Sequence, residues 1–151
     1  MESSVNELAK YRYETGLENL TDAKIMFDNG RYKNALNRGY YSIFHAIRAV
    51  CALDGFDSSK HSGVIAFFNQ NYIKTELLPK ELSKMIRYAS ENREKADYLD
   101  FYVASKDEAE KQIKRAELFL KTIEDYLRQK GVLQSSTKDG EFERICNHDF
   151  Y

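Results

Sequence analysis

The stretch from Arg31 to Gly55 constrains the fold more than any other part of the chain, because its apolar residues recur at the spacing of an α-helix. At about 100° per residue, one broad face carries the residues expected in a core: Tyr32, Leu36, Tyr40, Ile43, Ile47 and Val50. The opposite face carries Arg38, Tyr41, Ser42, His45, Ala49 and Ala52. A solvated face would normally carry lysine and glutamate instead, so the pattern predicts a helix with two occupied faces.

The second face holds the candidate chemistry. Arg38 and His45 lie seven residues apart and therefore only about 20° out of alignment on a helix. They combine a permanent cation with an imidazole that can titrate near neutral pH. The small residues that follow would let another helix or a ligand approach closely. On spacing alone, a surface or interface role is more common for such a pair than catalysis.

Composition indicates a single all-α domain. The chain has 151 residues, 42% of them hydrophobic, which suffices for one core, and it has one proline, seven glycines and no strand-like alternation. We expect an antiparallel up-and-down helical bundle of about five helices in residues 1–131, followed by a C-terminal tail in residues 132–151. The formal charge of −1 excludes a strongly basic coat protein but allows a local phosphate-binding patch.

Helix boundaries follow from local signals. The first helix is predicted from Val5 to Asn29, with Asn29-Gly30 as its stop. A short third helix would have Ser58 or Ser59 as its N-cap, and a fourth would begin at Pro79 and run to about Ala96. A capping box, Ser105 with Glu108, would open a fifth helix that ends at Lys130, before Gly131. Gly16 and Gly39 lie inside helices, where close helix contact is plausible.

Several other residues are candidates for function, each beside a plainer alternative. Lys60 and His61 would lie in the first turn of the third helix, where an anion could bind, although a solvated turn is the more common case. Arg93 and Asp97 have the spacing of an i,i+4 ion pair. The aromatic residues Tyr98, Phe101 and Tyr102 are expected to fold back over the core, with base stacking as the functional alternative.

Other functional classes lack their sequence signals. Cys51, Cys146 and His148 form neither a disulfide framework nor a metal-ligand pattern, and no phosphate-cradling glycine loop is present, so we expect no metal and no cofactor. The chain has no signal-peptide pattern and no apolar run of about 18 residues. We therefore expect a cytoplasmic protein that does not span a membrane.

Three motifs in order, RGYYSIFHAIRAV, KHSGVIAFF and NREKADY, give the chain a resemblance to the HEPN superfamily, specifically its small stand-alone prokaryotic members. The resemblance covers about Leu8 to Leu127. It implies a helical bundle that forms a homodimer about a two-fold axis. It also implies a metal-independent endoribonuclease motif, an Arg followed after four to six residues by a His, which corresponds to Arg38 and His45 with six residues between them.

Such a site would cleave RNA with His45 as general base or acid and Arg38 stabilising the phosphorane. Tyr41 and Ser42 could orient the phosphate or His45, and Lys60, His61 and Arg93 could bind substrate in the same subunit or across the dimer. The 2′-oxygen would be the nucleophile, so the product would carry a 2′,3′-cyclic phosphate.

The resemblance also suggests a partner, because many small HEPN proteins act as the toxin beside a minimal nucleotidyltransferase antitoxin. In some related systems that enzyme modifies a tyrosine near the motif, which makes Tyr40 or Tyr41 a candidate. Two alternatives to catalysis remain open. The chain could be a non-catalytic module that binds RNA, a nucleotide or the nucleotidyltransferase, or Arg38 and His45 could simply hydrogen-bond across an interface.

Overall fold

The computed structural model describes residues 2–134 of the chain as a bundle of α-helices. The helices are α1 (Glu2–Asp28), α2 (Tyr32–Ala52), α3 (His61–Phe68), α4 (Glu81–Tyr98) and α5 (Lys106–Gln129). A single π-helical turn, Asn69–Ile73, continues directly from α3. The predicted all-α bundle of about five helices is therefore confirmed.

The turn between α1 and α2 forms as the sequence predicts. Gly30 adopts a φ of 72°, in the left-handed region that favours glycine. The N–H of Gly30 donates to the carbonyl of Phe27 at 3.0 Å, and the N–H of Arg31 donates to that of Met26 at 2.8 Å. These bonds satisfy carbonyls at the end of α1 and reverse the chain, so α2 packs back along α1.

Helix α2 is the centre of the bundle, because it packs against α1, α3, α4 and α5. Its predicted core face is buried at Leu36, Tyr40, Ile43, Ile47 and Val50, while Tyr32 is partly exposed. The small residues on its other side are buried too, and α1 is the helix that approaches there. The prediction of two occupied faces is confirmed.

Two glycines permit the closest helix contacts. A Cβ atom on Gly16 would lie 2.9 Å from the carbonyl oxygen of Ser42, and one on Gly39 would lie 2.8 Å from Cγ of Gln112. Both distances are too short for carbon contacts, so only glycine allows α1 and α5 to sit this near α2. The sequence prediction of close contact at both positions is confirmed.

The start of α3 differs from the prediction. Lys60 is the N-cap, and neither Ser58 nor Ser59 caps the helix with its side chain. The Ser58 hydroxyl instead accepts a hydrogen bond from the Lys60 N–H at 3.2 Å, which forms a local turn just before α3 begins. Helix α4 also begins slightly later than predicted, with Lys80 as N-cap, and Pro79 accepts the N–H of Leu82 at 3.1 Å.

The capping box at the start of α5 forms as predicted. The aromatic residues before it do not lie where the sequence predicts. Glu108 N–H donates to the Ser105 hydroxyl at 3.0 Å, and the Glu108 carboxylate accepts the Ser105 N–H at 3.1 Å. Tyr98 is 71% exposed and Phe101 fully exposed, so the expectation that they cover the core was wrong. The positive φ of Phe101, 60°, turns the loop outward, and only Tyr102 is anchored, through a hydroxyl bond to Glu108.

Helix α5 ends at the predicted glycine, since Gly131 has a φ of 76°. Val132 and Leu133 then pack against the core. The apolar tail residues beyond them, together with Cys146 and His148, lie outside the described residues. The domain boundary at residue 131 thus stays a prediction.

Candidate functional site

Arg38 is held in place beside Tyr41 on α2. Its Nη1 donates to Oδ1 of Asn19 at 3.0 Å, and its Nε donates to Oδ1 of Asn37, also at 3.0 Å. The Asn37 amide in turn donates to the carboxylate of Asp97, at 3.0 Å from one oxygen. The guanidinium carbon lies 5.0 Å from the centre of the Tyr41 ring, a cation–π distance. These contacts fix the direction of the guanidinium before any ligand binds.

His45 lies near the same Tyr41 ring, at a centroid distance of 6.2 Å. Among residues 2–134, nothing hydrogen-bonds its buried Nδ1 atom. Burial, followed by the charges of Arg48 and His61, lowers the pKa of His45 to about 4. The imidazole is therefore neutral at pH 7, the protonation state that can accept a proton.

Tyr40 and His61 contact each other, and both of their rings lie next to the Tyr41 ring. The Tyr40 hydroxyl lies 3.0 Å from Nδ1 of His61, and the His61 ring stacks on Phe44 at 4.0 Å. Burial lowers the pKa of His61, and the charge of Arg93 lowers it further. Tyr41 meets the His61 ring edge-on at 5.6 Å, which joins this pair to the Arg38 side.

Arg93 reaches this cluster from α4. Its guanidinium lies 4.5 Å above the Tyr40 ring and 5.8 Å from the Tyr41 ring. The predicted ion pair with Asp97 is present at 3.6 Å. Burial raises the pKa of the Tyr40 hydroxyl, and the neighbouring Arg93 opposes that rise. The Asp97 carboxylate therefore contacts Arg93 directly and Arg38 through the side chain of Asn37.

The structure thus brings together six residues within one chain: Arg38, Tyr40, Tyr41, His45, His61 and Arg93. Ser42 is different: it is fully buried, and its hydroxyl donates to the Gly39 carbonyl at 3.0 Å. Lys60 is exposed at the N-cap of α3. The Ser42 hydroxyl bonds the backbone of its own helix, and the cluster forms without Ser42 or Lys60.

Sequence reasoning missed a pair of arginines beside His45. Arg12 of α1 and Arg48 of α2 both contact Asp57, and Arg48 is the strongest charge acting on His45. Arg48 follows His45 by three residues and could have been found from helical spacing. Arg12 lies 36 residues before Arg48 in the chain, and Asp57 lies nine residues after it. No local sequence pattern predicts contacts over these separations.

Other kinds of site are not found in the part of the chain that the structure describes. No three His, Cys, Asp or Glu side chains there are grouped to hold a metal ion. Within residues 2–134, every helix is too short or too polar to cross a membrane. The charged and aromatic cluster on α2 is therefore the main candidate site.

Comparisons with known proteins agree with the fold. The model of the HEPN domain matches residues 9–126, a range that contains the whole cluster. A "UPF0332 protein" of Thermotoga maritima is 36% identical over 78% of this chain and 89% of its own length. Two proteins of Methanocaldococcus jannaschii are similar over 85% of this chain. "Putative toxin MJ0605" is 31% identical, with 96% of its length covered, and "Putative toxin MJ0142" is 30% identical, with 92% covered. The chain belongs to the HEPN domain family.

Proposed function

We propose that this protein is a toxin-like, metal-independent endoribonuclease that acts as a homodimer, with Arg38 and His45 forming its composite site. One observation carries the proposal: the Arg38 guanidinium and the His45 ring lie 5.0 and 6.2 Å from the centre of the same ring, that of Tyr41. The cation and the proton acceptor are thereby held around a shared, partly exposed surface. The toxin names of two relatives support the same reading.

The reaction needs few groups. His45 accepts the proton of the ribose 2′-hydroxyl as the 2′-oxygen attacks the adjacent phosphorus, and Arg38 stabilises the charge on the phosphorane oxygens. The bond from phosphorus to the 5′-oxygen then breaks, and that oxygen takes a proton from the protonated histidine or from water. The products are a 2′,3′-cyclic phosphate and a free 5′-hydroxyl. No metal ion takes part in these steps.

The electrostatics of His45 fit a base that is activated by its substrate. A pKa of about 4 keeps the imidazole unprotonated at pH 7 but makes it a weak base. The cations that lower this pKa include Arg48 and Arg38, and a bound phosphate would neutralise part of their field. Binding of RNA would therefore raise the pKa by the part that these charges contribute, while the larger contribution, burial, would remain.

Neighbouring residues suit the binding of RNA. Tyr41 offers a partly exposed ring on which a base can stack. Arg93 and His61 extend the cationic and aromatic surface toward α4 and α3. The exposed Lys60 would bind a phosphate of an RNA long enough to reach it. Ser42, being buried, supports the α1–α2 contact in this proposal instead of binding phosphate.

A homodimer would complete the site. Two copies of Arg38 and His45 facing one cleft would concentrate positive charge on a chain whose formal charge is −1. The exposed aromatic residues at the end of α4 and in the loop after it support this arrangement, because the Tyr98 ring centre lies 6.0 Å from the Arg93 guanidinium and Tyr98 therefore borders the cluster. Burying Tyr98 and Phe101 between subunits would account for their exposure in one chain.

An antitoxin of the minimal nucleotidyltransferase class remains the proposed partner. Of the two candidate tyrosines for modification, Tyr41 is the more accessible, because Tyr40 is only 2% exposed and its hydroxyl contacts His61. A nucleotidyl group on Tyr41 would occupy the space between Arg38 and His45. Modification there would block RNA from the site directly.

The alternative function is a non-catalytic module that binds RNA or a nucleotide. It is favoured by the engagement of the Arg38 guanidinium, whose Nε and Nη1 already donate to Asn37 and Asn19. It is also favoured by the low pKa of His45, which weakens that residue as a base. Cleavage assays separate the two functions.

The test uses purified protein and a labelled single-stranded RNA in the presence of EDTA. We expect the wild type to produce fragments with 2′,3′-cyclic phosphate ends, and His45→Gln and Arg38→Gln to reduce the rate by at least about a hundredfold. Arg87→Gln is the matched control, because this exposed arginine packs on Tyr88, outside the cluster. Light scattering would establish that each variant has the oligomeric state of the wild type.

Two results would contradict the proposal. If folded, dimeric wild type left the RNA intact but bound it, the binding module would be the better function. If RNA with a 2′-deoxyribose at the cleaved position were cut equally well, the 2′-oxygen would not be the nucleophile.

A further inference from the structure

A pair of arginines beside the cluster forms an unusual arrangement around one carboxylate. Nη2 of Arg12 and Nη2 of Arg48 both contact Oδ2 of Asp57, at 3.1 and 3.0 Å. A second contact ties the arginines together, because Nη1 of Arg12 donates to the Arg48 carbonyl at 3.2 Å. Two guanidinium groups from two helices therefore converge on a single oxygen atom.

The pair retains an excess of positive charge. Two arginines against one aspartate leave a net charge of about +1 at this point. Burial lowers the pKa of Arg12, and the charge of Arg48 lowers it further, so the two cations repel one another even with Asp57 present. An additional anionic oxygen at this place would relieve that repulsion.

The position of the carboxylate makes it replaceable. The Asp57 side chain is 47% exposed, whereas those of Arg12 and Arg48 are 11% and 27% exposed. Its other oxygen accepts the N–H of Ser58 at 2.8 Å, so Asp57 belongs to the loop after α2. The arginines are fixed on helices, and the anion that they hold comes from the exposed side.

The pair lies next to the proposed reaction centre. Arg48 is one helical turn beyond His45, about 4.5 Å along the axis of α2. Arg12 and Arg48 both act electrostatically on His45. Consecutive phosphates in RNA are separated by a single nucleotide, so a strand with one phosphate at His45 that runs toward the C-terminal end of α2 would bring its next phosphate to Arg48.

We infer that Arg12 and Arg48 form a second phosphate subsite for single-stranded RNA, in which the Asp57 carboxylate occupies the place of the neighbouring phosphate until RNA displaces it. The inference rests on the proposed function and deepens it. It assigns substrates with at least two consecutive phosphates to the site. It also gives Asp57 the role of a competitor that weakens the binding of shorter or less charged ligands.

The test measures binding and not cleavage. A fluorescein-labelled 2′-O-methyl hexanucleotide lacks the 2′-hydroxyl nucleophile, so its affinity can be measured by anisotropy over a series of salt concentrations. We expect Arg48→Gln and Arg12→Gln to weaken binding about tenfold, and to reduce the slope of log K against log salt by about 0.7 for each lost phosphate contact. Asp57→Asn, which keeps the acceptor for Ser58, should tighten binding several-fold.

Arg87→Gln again serves as the control, because it removes the same charge from an exposed position on α4 and should leave the slope unchanged. Thermal unfolding of each variant checks that the fold persists, and Arg48→Gln tests the subsite if the more buried Arg12 variant is unstable. If the ion pairs of Asp57 with Arg12 and Arg48 serve only to stabilise the fold, the Arg48 and Asp57 variants should be less stable while the salt slope of binding stays unchanged. That result would overturn the subsite. If the wild type bound the hexanucleotide and no variant differed, the subsite would fail while the proposed function stood. If the wild type bound no RNA, both would fail.

Discussion

Acidification should destabilise this protein through His45 well before its carboxylates are protonated. Burial and the surrounding cations lower the pKa of His45 from 6.5 to about 4 in the folded state. The unfolded chain therefore binds one more proton than the folded chain between those values, and the free energy of unfolding falls as the pH falls through that window.

The size of the effect follows from linkage. With pKa values of 6.5 unfolded and about 4 folded, the loss attributable to His45 between pH 7 and pH 5 is about 2 kcal/mol. Asp57 and Glu108 also have lowered pKa values, but their ordinary values are 3.8 and 4.5, so their contributions are lost mainly below pH 5. His61 adds a loss of the same sign, because its pKa is lowered too.

Urea unfolding followed by circular dichroism at pH 7, 6 and 5 measures the effect. The protein concentration is held fixed, because the proposed dimer would add to the apparent stability. Wild type should lose about 2 kcal/mol more than His45→Gln over this range. His61→Gln is the matched histidine control. Its free energy of unfolding should still fall between pH 7 and pH 5 by the amount attributed to His45. If wild type and His45→Gln lost equal stability, the imidazole would not be held neutral by burial, and the electrostatic account of the site would be refuted.

Three further predictions concern packing, capping and metal dependence. Gly16→Ala should reduce the free energy of unfolding by about 1–3 kcal/mol in urea titrations, because the new Cβ would lie 2.9 Å from the backbone carbonyl of Ser42, which cannot rotate away. Ser105→Ala should cost about 1 kcal/mol by the same measurement, through loss of the hydroxyl that accepts the Glu108 N–H, and an unchanged midpoint would contradict the capping role. Removal of divalent metals with EDTA should leave the rate of RNA cleavage unchanged, whereas a loss restored by Mg²⁺ would exclude the proposed mechanism.

The fold was predictable because its signals are local. Helical periodicity, glycines after helix ends and one capping box involve residues within a few positions of each other, and Gly30, Ser105 and Gly131 behave as those patterns predict. The errors arose where local signals compete or depend on distant packing. Ser58 makes a turn instead of a cap, and Phe101 turns into solvent.

The site was only half predictable for the same reason. Arg38, Tyr41 and His45 share one face of one helix, so spacing alone groups them. Residues that set their chemistry come from other helices. Asn19 from α1 reaches α2 only after the bundle forms, and Arg93 from α4 is grouped with the site by the family resemblance, not by spacing. A single sequence contains no pattern that connects positions so far apart.

The packing of α1 on α2 also explains why the candidate site has its particular chemistry. Gly16 and the buried Ser42 allow the two helices to come close, which covers one side of His45 and brings Arg12 beside Arg48. The same contact therefore desolvates the histidine and surrounds it with positive charge, and both effects lower its pKa. It follows that a substitution at Gly16 which separates the helices should raise the pKa of His45 as well as reduce stability. The acid-sensitive part of the unfolding free energy should then shrink in Gly16→Ala, even though that residue has no titratable group.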